Sequence, residues 1–268
     1  MKTLRWIDKA VCLGNGQSRQ GLNLNKLKQY ATVIGCNAIY RDFTPDILVA
    51  LDSRIAHEIY RSGYADTNLS YLGYWTSIPV EVAHEMLATC EAKTDSNINS
   101  NGECVYHGAD GVFTLVKGKN LGITYVTQVH KKDMVTSIEP DVDNFAYATG
   151  ARAIYLACEL GATEVFIIGH DLYSLDNKIN NIYAGTDCYA KENANVARPD
   201  NPDETFNWIK QHKNTFKKFP NIKFWKVNMN PIGSSPIDCE VEEWKNCENL
   251  EYITFKEFGL NLDKRNKI

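Results

Sequence analysis

Three short apolar runs fall within the first 52 residues: Ala10–Leu13, Thr32–Cys36 and Asp46–Leu51. Each stops at glycine or a polar residue: Gly14-Asn15-Gly16, Asn37 and Asp52. Runs of this length without polar alternation suit strands buried on both faces, as parallel sheets require. Such strands need helices above and below them. The pattern therefore predicts a doubly wound, mostly parallel α/β sheet. Between the runs, Leu22, Leu24 and Leu27 mark a short helical segment ending near Tyr30. Ser53 reads as the N-cap of a helix through about Arg61, with Gly63 as its stop.

The middle of the chain is less regular. Residues 92–104 are polar and turn-rich and read as an exposed loop. Ile123–Thr127 reads as a strand. Thr149–Leu160 reads as a buried helix, closed by Gly161 and leading into a strand over Val165–Ile168. That strand ends at Gly169-His170-Asp171-Leu172-Tyr173. Residues 174–202 are rich in Asn, Asp, Gly and Pro and are expected to form a flexible lid carrying Tyr183 and Tyr189. Pro202-Asp203 opens a helix to about Lys218, followed by strands near Ile222–Trp225 and Tyr252–Phe255. One domain over residues 1–268 is expected.

Composition limits the function classes. The net charge of −4, from 29 basic and 33 acidic residues, argues against a surface built wholly to grip nucleic acid. A local basic groove is compatible with that total. The eight cysteines include no Cys-x-x-Cys pair, which removes zinc-ribbon and thioredoxin readings. Nothing after Met1 resembles a secretion signal, and no window approaches about 18 consecutive apolar residues. A reduced, soluble, cytoplasmic protein is expected.

In an open parallel sheet, ligands bind beyond the carboxyl ends of the strands. That rule gathers Gly14–Ser18, Asn37, Asp52, Thr149-Gly150 and Gly169–Tyr173. Gly14 and Gly16 would let backbone N–H groups approach a phosphate or ribose, with Asn15 and Ser18 adding side-chain bonds. A purely structural turn is the other reading. The turn is not a P-loop, since no Gly-Lys-Ser/Thr follows. It is not the dinucleotide fingerprint either, because Arg19 stands where the third glycine belongs. Thr149 and Gly150 open a helix whose positive end suits phosphate. His170, Asp171 and Tyr173 join base, acid and phenol at one strand end, although Asp171 could equally cap the next segment. Asp52 reads as helix cap, ribose acceptor or catalytic base. Asp141-Val142-Asp143 matches the Asp-x-Asp metal pair formally but sits in a turn-like stretch, so no metal site is assigned.

The run Val11-Cys12-Leu13-Gly14-Asn15-Gly16-Gln17-Ser18, with Gly35-Cys36-Asn37-Ala38-Ile39-Tyr40, resembles the front half of bacterial sialyltransferases of glycosyltransferase family 42. Thr149-Gly150-Ala151-Arg152 and the strand into Gly169-His170-Asp171-Leu172-Tyr173 resemble that family's second motif. Similar pieces occur in Rossmann-like pterin pyrophosphokinases of archaea and in uncharacterised tailed-phage proteins. The resemblance implies a Rossmann-like sheet. It implies that Asn15, Ser18 and Asn37 hold a nucleotide-sugar donor, while Thr149 and Gly150 cradle its phosphate. Tyr173 and Tyr183 would then bind the leaving phosphate in place of a metal. Gln17 departs from the family's proline. Ala146 stands where the family has arginine, with Arg152 further along. The family's late histidine has no counterpart at 203–206. The base is therefore drawn from Asp203, Glu204, Asp171, His170 and Asp52.

The expected function is transfer of a sugar from a CMP- or UDP-linked donor to a hydroxyl. The acceptor would be a glycan or a hydroxymethylated base in phage DNA, in which case the location is the host cytoplasm. No cofactor beyond the donor is required, and a divalent metal is weakly indicated. The alternatives are a pyrophosphokinase-type or other nucleotide-dependent transferase, and a non-catalytic nucleotide binder.

Overall fold

The computed structural model describes residues 7–52, 62–72, 147–172, 180–189 and 204–263. It also describes residues 55, 56, 58 and 59 and short strands between 76 and 137. The strands are β1 (Lys9–Leu13), β2 (Thr32–Cys36), β3 (Ile47–Ala50), β4 (Ser70–Leu72), β5 (Thr76–Ile78), β6 (Lys93–Asp95) and β7 (Cys104–His107). They continue with β8 (Thr114–Gly118), β9 (Gly122–Thr127), β10 (Val135–Ser137), β11 (Glu164–Ile168), β12 (Lys223–Asn228) and β13 (Leu250–Thr254). The helices are α1 (Leu24–Leu27), α2 (Thr149–Glu159), α3 (Glu204–Lys218) and α4 (Phe255–Asp263).

The chain divides into two compact units where the sequence reads as one domain: residues 1–50 with 141–268, and residues 51–140. In the larger unit the strands lie in the order β3-β2-β1-β11-β12-β13. Every neighbouring pair is parallel. Counted within the unit this is 3-2-1-4-5-6, the order of dinucleotide-binding sheets. The fold is α/β and Rossmann-like. The order reverses between β1 and β11, so the loops after these two strands flank the switch point.

Burial explains why these short runs become central strands. Ala10–Leu13, Leu48–Ala50 and Val165–Ile168 are fully buried, whereas the edge strand β13 is half exposed. Helix α2 packs on β1 and β2 through its small face, with Ala153, Ile154 and Ala157 out of solvent. Small side chains let the helix backbone approach the sheet closely. Helix α3 packs on α2 and carries Phe216 against Phe224 and Trp244, with ring centroids 4.7 and 5.3 Å apart.

In the smaller unit, β4 and β10 pair in parallel, and β5-β9-β8-β7-β6 form an antiparallel sheet. Strand β6 falls inside the stretch expected as loop. Lys93-Thr94-Asp95 has no apolar alternation, and backbone pairing with β7 makes it a strand. Among the described residues, no helix is long and apolar enough to cross a membrane. Tyr173, Asp203, Asp141, Asp143, Ser53 and Ala146 lie outside the described residues, as do 174–179 and 190–202 of the expected lid.

Candidate functional site at the switch point

The turn after β1 is locked against the turn after β11. Gly14 N–H donates to Ile168 O and Gly16 N–H to Gly169 O, both at 2.8 Å. A Cβ on Gly14 would stand 2.3 Å from the Gly169 carbonyl oxygen, and one on Gly16 would stand 2.3 Å from Asp171 Cγ. Gly169 itself takes φ +70°, a conformation that other residues adopt only with strain. Glycine at 14 and 16 therefore serves close packing between two loops.

Ser18 completes the lock. Its N–H donates to Asp171 Oδ2 at 2.8 Å and its hydroxyl donates to Oδ1 of the same carboxylate. Gln17 N–H donates to Asn180 Oδ1 at 3.0 Å. The N–H groups of Gly14, Gly16, Gln17 and Ser18 are thus committed inside the protein, as is the Ser18 hydroxyl. The phosphate cradle expected here has lost most of its donors to the fold. The turn's free resource is Asn15. Its Nδ2 donates to Cys36 O at 3.1 Å across the end of β2, which fixes the amide's orientation. Asn15 Oδ1 is then left out of solvent without a partner, and so is Asn37 Oδ1 one residue beyond Cys36. Asn37 sits at φ +52° at the start of a single-turn helix, a strained position that asparagine tolerates better than most residues.

Helix α2 begins beside these groups. Its N-cap, Ala148, offers no side-chain bond to the first turn. Cys36 Sγ lies 4.0 Å from Thr149 O, tying the end of β2 to the helix start. A Cβ on Gly150 would meet His170 Cε1 at 3.0 Å, and one on Gly14 would meet His170 Cδ2 at 2.8 Å. The His170 ring is therefore packed against both the end of β1 and the start of α2.

The state of the ring's Nε2 follows from a hydrogen-bond chain. His212 Nδ1 lies 2.7 Å from Trp208 O, an acceptor only, so Nδ1 carries the proton. Neutral His212 then presents a lone pair at Nε2, which lies 3.0 Å from His170 Nδ1. His170 Nδ1 must donate, leaving a lone pair on His170 Nε2, which is buried and has no partner. Both rings stay neutral for physical reasons. Burial, then His212 and Lys226, hold His170 well below the usual histidine range. Burial brings His212 down to about 4, with the Trp208 carbonyl opposing the shift.

Tyr183 is buried, and its hydroxyl donates to Asp42 Oδ2 at 2.6 Å while accepting from Arg19 at 3.0 Å. Burial and the Asp42 bond push the phenol well up. Its segment, the described part of the expected lid, is docked on the turn. Ile182 N–H donates to Asn15 O at 2.9 Å, and Arg41 donates to Thr186 Oγ1 at 2.8 Å and Asp187 O at 2.9 Å.

The structure thus gathers Gly14, Asn15, Gly16, Ser18, Asn37, Thr149, Gly150, His170, Asp171 and Tyr183. Asp52 is exposed, and its carbonyl accepts from Ala56 N–H as a helix start would. Arg152 pairs with Glu159 at 3.1 Å and lies over Tyr155. Among the described residues, no group of three or more His, Cys, Asp or Glu could hold a metal.

Arg19, Asp42, His212 and Lys226 were not legible as site residues. Arg19 had one signal, its place at the third glycine of the fingerprint. A glycine there lets a helix start directly under the ligand. Here the turn Gln17–Arg19 is a single 3-10 turn, so α2 is the helix whose positive end faces the switch point. No protein-family model matches the chain, and no curated protein or solved structure matches it.

Proposed function

We propose that the protein is a nucleotide-sugar-dependent glycosyltransferase that holds its donor at the β1–β11 switch point. The observation that supports this best is the pair of buried, unpartnered oxygens on Asn15 and Asn37. A buried acceptor without a partner is costly, by about 1–3 kcal/mol. The natural complement is a donor-rich ligand edge, such as ribose hydroxyls or a base amino group. A phosphate next to that nucleoside would meet the start of α2 at Thr149 and Gly150.

The sugar would pass to the acceptor by direct displacement. Of the described base candidates, Asp171 has both oxygens engaged by Ser18, whereas His170 Nε2 keeps its lone pair. His170 would take the acceptor's hydroxyl proton as the new bond forms, a role worth about 10²–10⁴ in rate. Tyr183, whose hydroxyl proton is committed to Asp42, would support the site through Arg19 and Asp42, which leaves Tyr173 to bind the leaving phosphate. The docked segment around Tyr183 would help exclude water, whose attack on the donor is the competing reaction. The acceptor would be a glycan or a hydroxymethylated base; DNA would have to be flipped into the site.

Release of free nucleotide from CMP- and UDP-sugars, with and without acceptor, tests the reading. Slow release of one nucleotide by the wild type, lost in His170→Ala, is expected. Transfer of pyrophosphate from ATP, with every sugar nucleotide left intact, would overturn it.

A further inference from the structure

A second polar cluster lies one strand away from the switch point. On the face of β12 covered by α3, Phe224 packs against Phe216. Two and four residues further on, the same face carries Lys226 and Asn228, which are 4% and 2% exposed. Ile167 pairs with Lys226 in the parallel register, which sets Asn228 level with Gly169 at the carboxyl edge of the sheet.

These two residues hold more donors than the protein uses. Lys226 Nζ donates to Asn228 Oδ1 at 3.3 Å and forms no ion pair among the described residues. That bond fixes the Asn228 amide, whose Nδ2 is buried without an acceptor. The Lys226 amine, which burial pulls down from the usual lysine range, and an amide NH₂ therefore share one buried place with donors unfilled. The charged and titratable groups around them are Asp171 beyond β11, His170, His212 on α3, and Asp238 and Cys239 on the loop after β12. The two carboxylates are already engaged. Asp171 is bound by Ser18, and Asp238 by Asn230 and Ser235.

We propose that Lys226 and Asn228 form a buried subsite for an anionic oxygen ligand, the carboxylate or phosphate of a substrate. Buried charges are paired or carry a function; Asp171 and Asp238 act on Lys226 only at a distance, and what its Nζ and the Asn228 amide lack is an anionic oxygen bonded to both. The position at the carboxyl edge, beside the switch point, is where such a sheet receives ligands. The subsite does not depend on the sugar-transfer reading, because any substrate bearing that anion would fill it.

Melting temperature against acetate and against inorganic phosphate, at constant ionic strength, tests the proposal and separates the two ligand classes. The wild type should gain several degrees with one of them at saturation. Asn228→Leu should weaken the apparent affinity about tenfold, the loss of one charge-assisted contact. Lys226→Met should abolish the gain while melting at or above the wild type without anion. Asn228→Asp supplies the anion from within the chain, so it should raise the melting temperature and remove the anion response. Asn15→Ala should keep that response, which separates this subsite from nucleotide binding. No gain with either anion would overturn the proposal. So would an unchanged gain in Lys226→Met, or a lower melting temperature with an intact gain in Asn228→Asp.

Discussion

Ser18 binds both oxygens of Asp171, one through its backbone N–H and one through its hydroxyl, and so joins the two loops that flank the switch point. The carboxylate of the Gly169–Tyr173 segment is thereby spent on holding the Gly14–Ser18 turn. Asp171→Ala would strand a buried N–H and a buried hydroxyl. It should cost about 3 kcal/mol in urea unfolding, against about 1 kcal/mol for Asp171→Asn, which can still accept from Ser18 N–H.

The glycines of the turn answer to space. Gly14→Ala would push a methyl into the Gly169 carbonyl, which is backbone and has little room to yield. Gly16→Ala meets the Asp171 side chain, which could move at the expense of its bonds to Ser18. Denaturant unfolding should show about 3 kcal/mol lost for Gly14→Ala and less for Gly16→Ala.

Most of the larger unit was legible because its strands are buried on both faces and need no alternation to announce themselves. Thr32–Cys36 is bounded in the structure as the sequence predicts, and β1, β3 and β11 differ by a residue or two. Helix α4 went unseen because Phe255 reads as the end of the preceding strand, although Thr254 and Glu257 form a capping box there: Thr254 N–H donates to Glu257 Oε2 at 2.8 Å and Glu257 N–H to Thr254 Oγ1 at 3.3 Å. The smaller unit was hardest, because Lys93–Asp95 is a strand only through its pairing with β7. In the site, Gly14, Asn15 and Asn37 followed from strand ends. The burial of Arg19 and the relay through His212 depend on contacts across 164 and 42 residues of sequence, which no local pattern encodes.

The histidine relay makes stability fall in acid. His170 and His212 are held neutral in the folded protein, while the unfolded chain takes up protons near the ordinary value of about 6.5. The unfolded state therefore binds more protons as pH drops from about 6.5 towards 4, and the folded state loses ground over that window. His212 alone should account for about 2 kcal/mol by about pH 5. His212→Phe, which keeps an aromatic ring beside Trp244, should flatten the dependence measured by urea unfolding. An equally steep dependence in that variant would count against the relay.

Asn37 offers a clean separation of folding from binding. Its amide oxygen has no protein partner, and glycine accepts its positive φ at no steric cost. Asn37→Gly should unfold within about 1 kcal/mol of the wild type yet bind nucleotide about tenfold or more weakly by calorimetry.

Calorimetric titration of CMP, UDP and ATP into the wild type and into Asn15→Ala decides whether the switch point holds a nucleotide. Saturable binding of CMP or UDP at one site, weakened at least about tenfold in the variant, is expected. Binding of unchanged strength in Asn15→Ala, or no binding of any nucleotide to the wild type, would contradict the proposed site.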